Sequence, residues 1–344
     1  MSDSLHFHDP RRAPFSIHGL YQPAFDATPP DPPYCRLPDD VAAATGPEVR
    51  YLCRHTAGGR VRFCTNAERI TIRVTGSVGA MYHCTPVMQH GFDLYIDGDA
   101  SSTFLGTFGF DPASATYEAT LPLPTGEKHL TLYMPLYGEV HTLEIGLPAH
   151  ATVSPHRAYR HKLPIVYYGS SITQGACASR PGIAYQSFIS RRFDCDFINL
   201  GFSGSARGEG AIAAYMARLP MAAFVSDYDH NAPTPAHLAA THYQLSETIR
   251  AENPDLPYFM VTRPNFFDTP DDRLRREIVM ESYLRARRAG DNRVTFIDGA
   301  GFCTPLGIGD CRGDYTTDNT HPTDAGLARM AAVIGNAMAE TMGW

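Results

Sequence analysis

The 344-residue sequence has no excess of positive charge. Lys and Arg number 29 against 36 Asp and Glu, for a formal charge of −7 and a pI near 6.1. A nucleic-acid partner demands a basic footprint, and none is present. Long apolar runs are also missing: no stretch approaches the roughly 18 to 20 residues of a membrane-spanning helix. Residues Met1 to Arg12 lack the basic-then-apolar order of a secretory signal, so the chain is expected to be cytoplasmic, with no membrane partner. Eight cysteines (35, 53, 64, 84, 177, 195, 303 and 311) include no C-x-x-C pair, which excludes a zinc ribbon and a dithiol redox motif. They are expected to be thiols, several of them buried. Cys303 and Cys311 are close enough in sequence to bridge, but the expected compartment argues against it.

With 43% hydrophobic and 19% charged residues, the composition is that of a globular protein, and the length exceeds a single usual core. Residues 1–45 are rich in proline, without apolar period, and read as an extended arm packed on a domain. Residues 46–150 alternate with period two: Ile70, Ile72 and Val74 share one face, with Thr71, Arg73 and Thr75 on the other, and Phe92, Leu94 and Ile96 alternate with Asp93, Tyr95 and Asp97. Similar segments near 49–56, 59–65, 102–109, 115–122, 129–135 and 140–147 are separated by turn signals such as Ala57-Gly58-Gly59. About eight short strands without a helix predict an antiparallel β-sandwich of jelly-roll type. Residues 151–163 read as a linker. In residues 164–344, short apolar runs (165–168, 197–200, 222–225, 258–261 and 294–297) alternate with helical spacings such as Leu238, His242, Leu245 and Ile249, and a last helix is expected over 323–341. Strict alternation predicts a parallel sheet in a three-layer α/β/α domain, and such sheets bind ligands beyond their strand carboxyl ends.

Four blocks follow strand ends or the final loop: Gly169-Ser170-Ser171-Ile172, Gly201-Phe202-Ser203-Gly204-Ser205, Asp227-Tyr228-Asp229-His230-Asn231, and Asp318-Asn319-Thr320-His321-Pro322. Ser171 is the candidate nucleophile, although a serine at that place could equally serve as a helix cap. His321 would act as its base and Asp318 would hold the imidazole. The backbone N–H groups of Ser171 and Gly204, with the side-chain amide of Asn231, would receive an oxyanion. Asp227, Asp229 and His230 could be read as metal ligands, but strand alternation turns neighbouring side chains apart. A network positioning Asn231 is the preferred reading, and no metal is expected. Phe202, Tyr228, His230 and Arg263 are candidate substrate contacts.

These blocks resemble those of the SGNH hydrolases, or GDSL-type esterases, over residues 164–341, with Ser171, Gly204, Asn231 and His321 at the name-giving positions. Gly91-Phe92-Asp93-Leu94-Tyr95 matches the Gly-x-Asp-Leu-Tyr signature of a β-sandwich found amino-terminal to one subgroup, whose third block also reads Asp-Tyr-Asp-His-Asn-Ala-Pro. Two positions depart from the general family. Ser170 stands where it has Asp, and Asp229-His230-Asn231-Ala232 stands where it has Gly-x-Asn-Asp; both agree with the subgroup. The G-x-S-x-G elbow of α/β-hydrolases is absent. The resemblance implies a flavodoxin-like hydrolase domain and a cofactor-free serine esterase using an acyl-enzyme on small acyl esters, such as acetylated sugars. An acyltransferase passing the same acyl-enzyme to an alcohol is the alternative; a carbohydrate-binding protein with a vestigial site is a second. Acyl and alcohol specificity and oligomeric state stay open.

Overall fold

The computed structural model describes residues 4–21, 31–264, 268–303 and 312–344. Its contacts divide the chain into two units, one comprising residues 1–38, 53–160 and 179–182, the other residues 39–52, 161–178 and 183–344.

The first unit is built from strands whose alternation buries one face. These are β1 (Leu5–His8), β2 (Ser16–His18), β3 (Arg60–Thr65), β4 (Arg69–Gly76), β5 (Asp93–Asp97), β6 (Ser102–Thr107), β7 (Thr116–Pro122), β8 (Lys128–Tyr133), β9 (Val140–Pro148) and β10 (Val153–Ser154). They form two antiparallel sheets, in the orders β1-β9-β4-β7 and β10-β3-β8-β5-β6, with β2 also on β3. Ile70, Ile72, Val61, Phe63, Leu94, Leu130, Leu132 and Ile145 form one apolar core between them. Each such side chain contributes about 1.5–3 kcal/mol on burial. Strand β3 is buried on both faces because Tyr159 covers its polar side: the Arg62 guanidinium lies 3.6 Å over the Tyr159 ring, and Arg60 Nε donates to its hydroxyl at 3.2 Å.

The Gly-x-Asp-Leu-Tyr residues hold a loop of this unit. Asp93 Oδ2 accepts from Arg180 Nη1 and from the Gly182 N–H, both at 2.8 Å, and the Tyr95 hydroxyl meets the same Arg180 nitrogen at 2.6 Å. Their role in the structure is therefore one of support.

Three sequence expectations are corrected. The amino-terminal arm is not merely draped, because β1 and β2 are paired strands of the sheets. The strand expected near 49–56 is helical: α1 (Asp39–Thr45) and α2 (Pro47–Leu52) precede β3 and group with the second unit. Pro47 supplies a first-turn φ, and Val49 and Leu52, three residues apart, share the buried face. Third, the sandwich contains a helix, α3 (Pro86–His90), capped by the Thr85 hydroxyl.

In the second unit, α4 (Ser171–Gln174), α5 (Tyr185–Phe193), α6 (Gly210–Ala217), α7 (Pro235–Glu252), α8 (Pro270–Arg288) and α9 (Asp324–Met342) alternate with strands β11 (His161–Gly169), β12 (Cys195–Gly201), β13 (Ala223–Asp227), β14 (Tyr258–Val261) and β15 (Val294–Ile297). All five strands are parallel, in the order β12-β11-β13-β14-β15. That is the 2-1-3-4-5 winding of flavodoxin-like sheets, in a three-layer α/β/α arrangement. Helix α7 starts as its sequence requires, with the Thr234 hydroxyl accepting from the His237 N–H and Pro235 in the first turn. It buries Leu238, His242, Leu245 and Ile249. The last helix buries Leu327, Met330, Ile334 and Met338. No described helix is long and apolar enough to cross a membrane. Cys303 is buried, and Cys311 lies outside the described residues.

Candidate active site

Strand β11 lies between β12 and β13, and its residues Ile165 to Tyr168 are fully buried, so its carboxyl end is held on both sides. At that end the chain turns on Gly169. A Cβ there would lie 2.2 Å from Thr173 Oγ1 and 2.3 Å from the Asp227 carbonyl oxygen. Since the second of these is backbone of the neighbouring strand, Gly169→Ala is expected to cost about 3 kcal/mol. Chemical denaturation would show it as a lowered midpoint.

Ser170 then caps α4, its Oγ accepting from the Ile172 N–H at 3.2 Å. The capping role is thus taken by Ser170, and Ser171 is left to other contacts. Ser171 Oγ lies 2.8 Å from His321 Nε2, and His321 Nδ1 lies 2.7 Å from Asp318 Oδ2. If Nδ1–H donates to the carboxylate, Nε2 is the acceptor for the serine hydroxyl.

The Asp-x-x-His spacing has a local cause. Asp318 Oδ1 accepts the N–H groups of Thr320 (3.1 Å) and His321 (2.8 Å), a turn that places Asn319 in the left-handed region at φ 69°. Thr317 N–H and Thr316 Oγ1 donate to the His321 carbonyl and close the loop. Burial alone would raise the Asp318 pKa, but the His321 N–H and ring, with the Thr320 N–H, hold it below the ordinary carboxylate value.

Strand β12 delivers the second block. The Phe202 N–H donates to the Gly169 carbonyl at 2.8 Å, and the Ser203 N–H to Gln174 Oε1 at 3.0 Å, which ties this loop to α4. Gly204 follows with φ +69°, and a Cβ there would meet no atom within 4 Å. A positive φ and open space beside the backbone are what an approaching ligand requires of a glycine. Asn231 Nδ2 donates one hydrogen to the Phe202 carbonyl at 2.8 Å, fixing the amide plane while its second hydrogen stays available.

Behind Asn231 is a buried polar network. Thr173 Oγ1 donates to Asp227 Oδ2 at 3.0 Å, Asp229 Oδ2 accepts the Arg263 N–H at 3.1 Å, and Arg275 Nη1 donates to the carbonyls of Asp229 and Ala232. Arg263 itself pairs with Asp272 at 2.9 Å. Burial, then the proximity of Arg263, His321 and Arg275, pushes the His230 pKa well down. Two of the four candidate substrate contacts are corrected here: Phe202 and Tyr228 are fully buried. The Tyr228 ring stacks on His242 and its hydroxyl meets Thr241, so it has no surface to offer a ligand. Gln174 and Arg275, which brace the second and third blocks, carry no signal in the sequence.

Asp229 gives the network a pH signature. Its pKa is raised to about 6 by burial, against the opposing pull of the Arg263 N–H and the Arg263 and Arg275 charges. A raised carboxyl pKa means that the folded state disfavours the ionised form. The associated stability is present below the unfolded value of 3.8 and is lost as pH rises through about 6. Asp229→Asn should therefore gain on the wild type, by on the order of 3 kcal/mol, between pH 4 and pH 8. Urea unfolding of both proteins at the two pH values measures this, and a constant difference would refute it.

Comparison with known proteins agrees with this architecture. Residues 162–339 match the model of the GDSL-like lipase/acylhydrolase family, and residues 5–153 match that of the GxDLY amino-terminal domain of SGNH-hydrolase-type esterases. A GDSL-like lipase of Bacteroides ovatus is 28% identical, with a TM-score of 0.87 over 99% of this chain and 98% of that one. The salicylyl-acyltransferase SsfX3 of a tetracycline biosynthetic pathway is 20% identical, with a TM-score of 0.79 over 98% of each chain. A family two carbohydrate esterase of Clostridium thermocellum, solved with cellohexaose, is 16% identical, with a TM-score of 0.61 over 84% of this chain and 94% of that one; these last two share the fold. No curated protein matches significantly. More than half the chain fits one family model and nearly all the remainder fits the domain that accompanies it, so this protein belongs to the GDSL-like lipase/acylhydrolase family and is an SGNH-type serine esterase.

Proposed function

We propose that the protein hydrolyses small acyl esters, acylated sugars among them, through an acyl-enzyme on Ser171. The observation that carries this reading is the unbroken chain Ser171 Oγ, His321, Asp318, at 2.8 and 2.7 Å. Ser171 Oγ attacks the ester carbonyl and gives its proton to His321 Nε2, while the Asp318 carboxylate stabilises the imidazolium. The oxyanion is received by the N–H groups of Ser171 and Gly204 and the free amide hydrogen of Asn231. His321 then returns the proton to the departing alcohol. Water attacks the acyl-enzyme with the same imidazole as base, releasing the acid and restoring the serine hydroxyl. The likeness to carbohydrate esterases supports sugar esters as the alcohol class. Transfer of the same acyl group to an added alcohol is the second reading, supported by the likeness to an acyltransferase.

The test is intact-mass measurement after exposure to an organophosphonate, alongside turnover of p-nitrophenyl and acetylated-sugar esters. A single adduct mapped to Ser171, with loss of turnover in proportion to labelling, is expected. Turnover that survives full labelling would overturn the reading. Product analysis with an alcohol present separates hydrolysis from transfer.

A further inference from the structure

The described residues of the second unit include a shallow, largely open depression of about 440 Å³ lined by Pro47, Glu48, Tyr51, Leu52, Ser203 and Ser205. This lies within the roughly 300–1,000 Å³ of small-molecule sites and is far larger than an acetyl group needs. Two of its residues flank Gly204, the proposed oxyanion donor. The other wall is one side of α2, where Tyr51 is 59% exposed near Pro47 and the buried Leu52. Singly exposed apolar side chains are ordinary, but an aromatic ring, a proline and a leucine converging on a cavity next to an oxyanion donor are not scattered.

The chemistry of the proposed reaction says which half of the ester belongs there. The tetrahedral carbon carries four groups. One is Ser171 Oγ, one is the oxyanion, one is the leaving oxygen, and the last is the acyl substituent. The leaving oxygen must take its proton from His321, so the alcohol lies toward the loop that carries His321 and Asp318. No residue of that loop lines the cavity. The acyl group needs no proton, so it is the half of the ester left to occupy the side away from that loop.

We infer that this cavity is the acyl pocket, that it accepts apolar acyl groups well beyond acetyl, and that Tyr51 sets the preference. The inference rests on the esterase reading of Ser171 and adds the acyl class to it. It also gives residues 39–52 a purpose: they leave the sandwich part of the sequence to wall a pocket of the hydrolase unit.

The experiment compares wild type, Tyr51→Ala and Tyr51→Phe on p-nitrophenyl acetate, hexanoate and benzoate, and on acetate esters of phenol and naphthol. The acetate series serves as the internal control for folding. Wild type should prefer hexanoate or benzoate to acetate. Tyr51→Ala should lower kcat/KM for the larger acyl groups about tenfold while leaving acetate within about twofold, and Tyr51→Phe should restore the preference. An unchanged hexanoate-to-acetate ratio in Tyr51→Ala, with wild-type turnover intact, would overturn the acyl pocket and leave the esterase reading standing. A shift confined to the phenyl and naphthyl acetates would assign the cavity to the alcohol and overturn it equally. Absence of turnover on every ester, with no Ser171 adduct, would remove both.

Discussion

Replacing Ser171 by alanine is expected to lower kcat for ester hydrolysis about a millionfold, the loss seen when the nucleophile of a hydrogen-bonded triad is removed. Ser171 is 8% exposed, with its hydroxyl 2.8 Å from the imidazole, so the substitution removes one oxygen and little packing. Thermal stability should therefore change by no more than about 1 kcal/mol, since the helix cap is supplied by Ser170. Residual activity should not respond to organophosphonate, because the labelled atom is gone. Unimpaired turnover by this variant would mean that the nucleophile lies elsewhere.

Asp318→Asn should cost about 10⁴ in kcat with KM little altered. The carboxylate has two tasks on separate oxygens. Oδ1 accepts the Thr320 and His321 N–H groups and shapes the turn, a role that an amide oxygen also fills. Oδ2 faces His321 Nδ1, and there the substituted amide places N–H donors, so the imidazole must present an acceptor at Nδ1 and its hydrogen at Nε2. That tautomer cannot take the Ser171 proton. The folded protein should keep its turn, so a loss of kcat without a comparable loss of stability distinguishes proton handling from collapse of the loop. Equal loss in both would reduce Asp318 to a structural residue.

Much of this was legible in the sequence because the physics is local. The alternation of Ile70, Ile72 and Val74 fixes a sheet face, Thr234-Pro235 fixes a helix start, and Gly204 and the Asp318 to His321 interval mark backbone turns that few residue types permit. What escaped was tertiary. Pro47 to Leu52 carries the β-compatible Val49 and Tyr51, and only the covering of Val49 and Leu52 by the rest of the unit makes it a helix. Tyr228 and Phe202 sit inside site blocks and looked available to a ligand, yet proximity in sequence to a strand end says nothing about which way a ring turns. Arg275 lies 46 residues from the carbonyl that it braces, and no periodicity announces such a contact.

The pair Ser170 and Ser171 has a consequence for reading the motif itself. At 170 the requirement is an oxygen on a short side chain that can accept the amide hydrogen two residues on, and aspartate meets it as well as serine does. The difference between this chain and the Asp of the general family is therefore a synonymous change in hydrogen-bonding terms. The position identifies where a helix begins, and only its neighbour at 171 carries information about chemistry.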